Sequence, residues 1–279
     1  MTTQLSFTAS DFKIRASSAH EIMGGELGLT DTQEETLSAF EARIKDGKKP
    51  LTPKQTAEYQ RLSAKKANPE LPAGAKTHCK GWLKEKVFNR KKLFTSKYTD
   101  KGIHVEESSL LRLSEYYSVP IIKNDEFYED NDFTGTPDVV LPIGIDAKNP
   151  WDFSTFPLFE DSLPGEYFYQ GQVYMSLTGL KTWQFAYVLS DTPDPLIMQE
   201  ARKWCMLNGE EMSPSIYDEF KARLTYNDVP DEFRIKTYTV EYDEAIVDEM
   251  RLRVKMCREY IAKEIDKFVE TINRLNGKA

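Results

Sequence analysis

Hydrophobic and polar positions follow two rhythms along this chain. From Asp31 to Lys45, and again from Thr52-Pro53 to about Lys66, polar residues dominate and large apolar ones are few, the pattern of helices that share little core. Proline at a first helical position is a start signal, because the N–H it lacks has no partner there anyway. Gly47 to Pro50 ends the first helix, and the Pro/Gly stretch from Asn68 to Gly74 ends the second. The two predict a polar helical hairpin at about 30–74, laid on the body of the protein. Before it, Phe12 to Met23 reads as a short strand or loop entering a helix, with Ser17 or Ser18 as N-cap.

Beyond residue 74 the apolar positions become periodic. Ala75 to Asn89, with Trp82, Val87 and Phe88, predicts an amphipathic helix, and Lys101 to Tyr117 a stronger one. Ile121 to Tyr128, Phe133 to Leu141 and Ile143 to Lys148 read as strands. Pro164 to Thr178 reads as a helix. Thr182 to Leu189 alternates aromatic and aliphatic residues as a strand does, and Phe233 to Tyr242 is a further strand. Tyr242 to Asn276 closes the chain as a long helix, apolar at Ile246, Met250, Val254, Ile261, Ile265, Phe268 and Ile272. The order predicts an α/β fold: one domain over 1–279, with a mixed central sheet flanked by helices and extra helices at its N-terminal side.

Composition narrows the function. The 279 residues are 40% hydrophobic and 12% aromatic, within the globular range. No run of 18 apolar residues exists and the first residues carry no apolar signal core, so a soluble cytoplasmic protein without membrane contact is expected. Cys79, Cys205 and Cys257 form no CxxC pair, and His20, His78 and His104 show no zinc-ligand spacing. Walker, G-x-S-x-G and GxGxxG fingerprints are absent. Net charge is −8, yet Lys76 to Lys101 holds nine Lys/Arg against two acids. A basic stretch on an acidic body suits an enzyme that holds phosphates and also gathers carboxylates. A merely solvated helix face is the plainer alternative.

The chemistry concentrates in Thr134-Gly-Thr-Pro-Asp138-Val-Val-Leu-Pro-Ile-Gly-Ile-Asp146-Ala-Lys148. Antiparallel pairing across Pro142 to Gly144 would bring Asp138 and Asp146 together. Asp146 and Lys148, two apart on a strand, would share a face. Two carboxylates and an ammonium can hold Mg²⁺ and position a water. The surrounding Val139, Val140, Leu141, Ile143 and Ile145 argue for burial, where charges need partners. Glu106 lies on the apolar face of its helix with Leu110, Leu113 and Tyr117, which makes it a natural third carboxylate. Gln170 and Tyr174, four apart, share a helix face and can brace a lysine or a phosphate.

Gly102-x-x-x-Glu106, Gly135-x-Pro137-Asp138, Asp146-x-Lys148 and Gln170-x-x-x-Tyr174, in this order, resemble the PD-(D/E)XK nucleases of the RecB-like branch. The details are most similar to phage lambda-type exonucleases and YqaJ-type viral recombinases. The resemblance covers about residues 12–24 and 75–265. It implies a restriction-endonuclease-like core and a Mg²⁺-dependent deoxyribonuclease, with Mn²⁺ able to substitute and two ions per site. Asp138, Asp146, the Ala147 carbonyl and Glu106 would serve as metal ligands. Lys148 would act on the attacking water, and Gln170 and Tyr174 would brace the scissile phosphate. Arg15, Ser17 and Ser18 resemble an early phosphate-contacting element. With Gln172, Lys76 and Lys80 they are the candidate DNA contacts. The family usually has Glu where this chain has Asp146, one methylene shorter. Its lambda-type members degrade one strand of linear duplex DNA from the 5′ end, form trimers and work beside a single-strand-annealing protein in phage recombination. A structure- or sequence-selective endonuclease on the same fold, and a non-catalytic DNA-end or partner-binding module, are the alternatives.

Overall fold

The computed structural model describes residues 5–47, 49–93, 96–275 and 277. Asn276, the expected end of the closing helix, and Met1 to Gln4 lie outside them. Along the chain the elements are β1 (Ile14–Arg15), α1 (Ala19–Met23), α2 (Asp31–Asp46), α3 (Pro53–Ala67), α4 (Ala73–Phe88) and α5 (Lys97–Tyr117). There follow β2 (Tyr128–Glu129), β3 (Phe133–Gly135), β4 (Val139–Val140), β5 (Gly144–Lys148), α6 (Gly165–Thr178) and β6 (Thr182–Val188). The chain ends with α7 (Asp194–Asn208), α8 (Pro214–Leu224), β7 (Ile235–Glu241) and α9 (Glu244–Leu275). The mixed α/β class follows the reading of the sequence. Among the described residues no helix is long and apolar enough to cross a membrane.

The described residues fall into two compact units, one within Met1–Ile14, Ser18–Lys91 and Asp248–Ala279, the other within Arg15–Ser17 and Lys92–Val247. In the first, α2 and α3 begin with matching capping boxes, Thr30 with Gln33 and Thr52 with Gln55. Each buries a single leucine, Leu37 and Leu62, which is why their sequences read as so polar. Phe12 meets the Trp82 ring edge-on at 5.5 Å. The buried Arg253 guanidinium donates to the Ile22 and Gly25 carbonyls, fixing the turn after α1 on α9.

The second unit is built on a four-stranded sheet of order β4-β5-β6-β7. β5 and β6 are parallel and the outer pairs antiparallel. A parallel pair needs a crossover, and α6 supplies it. Alternation along β6 separates two faces. Ala186 and Val188 join Leu110 and Leu113 of α5, with Val139 and Ile145, in one core cluster. Trp183 and Phe185 turn to the other face, where the Trp183 and Tyr174 rings lie 5.0 Å apart and the Phe185 ring lies against Gly171 of α6.

Three expectations are corrected here. The strand expected over Phe133 to Leu141 is broken between β3 and β4, because Pro137 has no N–H for a ladder. Of Ile121 to Tyr128, only Tyr128 enters a strand. Asn124 turns the preceding chain, its N–H donating to the Asp138 carbonyl (2.7 Å) and its amide to the Pro137 carbonyl (2.9 Å). The pair α7 and α8, absent from the sequence reading, fills the path from β6 to β7. Leu196 and Ile197 of α7 and Leu224 of α8 cluster with Trp151.

Candidate active site

The β4–β5 hairpin sets the centre of the site. Val139 pairs with Ile145 and Val140 with Gly144, so the next position along puts Asp138 opposite Asp146. Gly144 is required by packing: a Cβ there would lie 2.0 Å from the Trp183 ring. Asp138 Oδ2 accepts the Ala147 N–H at 2.9 Å, which ties the two chains together at the carboxylates. Asp146 is 2% exposed. Two residues on, Lys148 returns to the same face and places Nζ 2.5 Å from Asp146 Oδ2.

One turn of α6 closes the arrangement. The Gln170 amide uses both ends: Oε1 accepts from Lys148 Nζ at 3.3 Å, and Nε2 donates to Asp146 Oδ1 at 3.3 Å and to the Tyr174 hydroxyl at 3.2 Å. Tyr174 in turn donates to the Thr136 carbonyl at 3.3 Å. Its ring packs on Gly135, where a Cβ would stand 2.7 Å from Cε1. The glycine two residues before Pro137 thus leaves room for the tyrosine that braces the loop. Asp138, Asp146, Ala147, Lys148, Gln170, Tyr174 and Glu106 all line one open pocket of about 650 Å³.

Glu106 reaches this pocket from α5, 28% exposed, but its carboxylate is paired with Lys123 Nζ at 2.8 Å. His104 is exposed on α5 and is not among the residues lining the pocket; its Nδ1 lies 2.7 Å from the Asp100 carbonyl. The pocket also holds side chains that the sequence reading passed over: Tyr98, Asn149, Glu166, Tyr167 and Tyr187. For Tyr167 a signal existed, since 167, 170 and 174 follow helical spacing on the face that carries Gln170 and Tyr174.

The electrostatics are those of a crowded anionic site. Burial and the adjacent Asp146 charge push the Asp138 carboxyl up to about 8, although the Ala147 N–H and Lys148 oppose this. Burial alone would pull Lys148 down, but the adjacent Asp146 carboxylate outweighs it and the ammonium is held above its ordinary value. Burial, then the Asp146 charge, raises Tyr174, so it remains a neutral phenol. Asp146 Oδ2 accepts no well-directed hydrogen bond, and the 2.5 Å approach of Lys148 Nζ is its ion pair. An under-satisfied buried carboxylate oxygen beside a second carboxyl fits a divalent cation. Mg²⁺ needs only one or two carboxylates and otherwise keeps water. Among the described residues no three His, Cys, Asp or Glu stand close enough to hold a metal ion by themselves. Glu106 is turned to Lys123, so the carboxylates left facing a cation here would be the two aspartates.

The expected DNA contacts fall in both units. Arg15 and Ser17 are exposed in the second unit. Ser18 stands at the N-cap of α1, where its side chain makes no cap hydrogen bond. Lys76 lies on α4 of the first unit and pairs with Glu70 at 2.7 Å; Lys80 is exposed on the same helix. Gln172 does not fit its expectation. It is fully buried, its amide nitrogen donates to the Glu241 carbonyl (2.7 Å), and its oxygen accepts the Asp243 N–H (2.8 Å). It braces the β7–α9 turn.

No family model and no curated protein matches the chain. Solved structures do. A phage-related exonuclease from Haemophilus somnus 129PT matches with TM-score 0.66 and 22% identity, over 92% of this chain and 96% of its own. An alkaline exonuclease from Laribacter hongkongensis matches with TM-score 0.55 and 13% identity, over 94% of each chain. The same exonuclease in complex with dAMP matches with TM-score 0.53 and 14% identity. The chain therefore has the fold of these exonucleases.

Proposed function

We propose that this protein is a metal-dependent DNA exonuclease that hydrolyses linear duplex DNA. The observation that carries the reading is the convergence of Asp138, Asp146, Lys148 and Gln170 on one pocket, within a fold shared over nearly the whole chain with two exonucleases. Asp138 and Asp146 would hold Mg²⁺ or Mn²⁺, with the Ala147 carbonyl as a further donor. A second ion would draw on Glu106 once that carboxylate leaves Lys123. The cation would supply Lewis-acid stabilisation of charge on the phosphate. Lys148, fixed between Asp146 and Gln170, would orient the attacking water and oppose the charge that develops on the phosphoryl oxygens. Gln170 would hold lysine and carboxylate in register, and Tyr174 would hold Gln170.

A 5′ to 3′ direction, a trimer, a single-strand-annealing partner and a role in phage recombination in the host cytoplasm belong to the same reading. That the Laribacter exonuclease was solved in complex with dAMP supports a nucleotide ligand for this fold. The test uses 5′- and 3′-labelled linear duplexes and a closed circle, with Mg²⁺, Mn²⁺ or chelator. An exonuclease shortens the linear duplex from one end, spares the circle and stops in chelator. Nicking of the circle would favour an endonuclease. Cleavage unchanged by Lys148→Ala would remove the catalytic assignment.

A further inference from the structure

The Lys148 ammonium has a neighbour that its hydrogen bonds do not include. Nζ lies 4.4 Å from the centre of the Tyr167 ring and 5.5 Å from that of Phe185. Tyr167 is itself held by aromatic contacts, stacked on Phe185 at 5.6 Å with 29° between planes and edge-on to Tyr187 at 6.2 Å. Tyr187 continues to Tyr238 at 5.8 Å, whose hydroxyl donates to the Glu160 carbonyl. Register explains the grouping: Phe185 stands beside Asp146 and Tyr187 beside Lys148 on the neighbouring parallel strand. Lysine is a flexible chain with a compact charge. Asp146 at 2.5 Å and the Gln170 amide oxygen at 3.3 Å are its polar partners. An aromatic face attracts a cation, more strongly where water is excluded.

We propose that Tyr167 is a positioning residue for the reaction: its ring face fixes the Lys148 ammonium over Asp146. The inference rests on the nuclease reading above and adds a residue to it. The ring is the working part, and the hydroxyl is dispensable. Tyr167→Phe therefore keeps kcat within about twofold, while Tyr167→Leu lowers kcat roughly 10- to 50-fold with KM within about twofold. Because Tyr167→Leu also removes core volume, a second series keeps the shape: phenylalanine at 167 carrying one, two or three ring fluorines. Each fluorine drains negative charge from the ring face, so kcat should fall stepwise while the melting temperature stays level. A purely structural ring would not give that series. Flat kcat across the fluorinated variants, or a Tyr167→Phe loss as large as that of Tyr167→Leu, would overturn the proposal. Lys148→Ala in the same assay separates the two levels. If the native protein does not cleave the duplex, the nuclease reading fails; if Lys148→Ala cleaves like the native protein, the role of Lys148 and with it that of Tyr167 fails; if Lys148→Ala is inactive and the fluorine series is flat, only the role of Tyr167 fails.

Discussion

Two lysines in the second unit are shielded from water and are treated in opposite ways. Lys148 has a carboxylate at 2.5 Å, an amide oxygen at 3.3 Å and an aromatic face at 4.4 Å, and its ammonium is held above the ordinary lysine value. Lys101 is fully buried and donates to a neutral acceptor, the Trp151 carbonyl at 2.8 Å, with the Tyr226 ring centre 5.9 Å away. Burial pulls it down to about 8; Asp152 and Asp191 resist, and Arg234 adds to the fall. The first lysine is a charge with dedicated partners at the mouth of a pocket. The second is a charge kept at a cost behind it. On the proposed function, the compensated charge is the one the chemistry would use. Lys101 instead holds the turn that follows β5, through a carbonyl three residues past Lys148.

The sharpest test of this contrast is loss of each charge. Lys148→Ala should lower the initial rate on a labelled duplex by about 10³ or more, since it removes a fixed cation at the phosphate. Lys101→Met should retain activity within roughly tenfold, because it lies outside the pocket lining. Equal losses would break the distinction. Next in size is Asp138→Asn. It should cost roughly 10²-fold in rate at saturating metal. It also tests the crowding. A carboxyl whose folded value is raised binds more protons folded than unfolded between about 4 and 8, so the native protein loses stability from this group as pH rises through that window. The asparagine variant lacks that loss. Measured in chelator, its melting temperature should gain on the native protein from pH 5 to pH 8. A constant difference would mean Asp138 is ionised at ordinary cost.

A smaller effect concerns Glu106. Its pairing with Lys123, which is 47% exposed, is a surface ion pair of modest strength. If Glu106 serves the metal, that pair must open. Lys123→Ala should then lower the Mg²⁺ concentration for half-maximal cleavage by roughly two- to fivefold, the span of about 0.5–1 kcal/mol. An unchanged or raised requirement would set Glu106 apart from the metal.

The carboxylate hairpin was legible in the sequence because it is local. Eight residues and one turn decide that Asp138 faces Asp146, and strand periodicity decides that Lys148 joins them. The α6 face was legible for the same reason, except that Tyr167 hid among Phe168 and Tyr169 as one more aromatic. What could not be read depends on distant parts. Glu106 shares a face with Leu110 and Leu113, but its partner, Lys123, comes from the chain after the helix turns back. Gln172 lies two residues after Gln170 and points to β7, because positions two apart on a helix diverge by about 200°. The helices α7 and α8 went unread since much of their apolar surface is short or exposed, as at Met206 and Leu207, although Pro195 and Pro214 were usable start signals. Lys101 looked like one more cation in a basic run; only the packing reveals a fully buried side chain.

That buried lysine gives the most specific prediction. Its value falls from 10.5 to about 8, which corresponds to about 3 kcal/mol of destabilisation while both states are protonated. Between about pH 8 and 10.5 the unfolded chain carries the proton and the folded protein does not, so stability from this group rises with pH across that window. Methionine has similar length and no charge. Lys101→Met removes the penalty and leaves the Trp151 carbonyl without its donor, a loss of about 1–3 kcal/mol. Below pH 8 the two nearly cancel, and the variant should be as stable as the native protein or slightly more so. Above pH 10 the native lysine is neutral, the penalty is gone, and the variant should be the less stable by about 1–3 kcal/mol. Urea unfolding of both proteins at pH 7 and pH 10.5 measures this crossing. A variant that is equally destabilised at both would mean that Lys101 is held as an ordinary, fully compensated charge, and the contrast with Lys148 would fall.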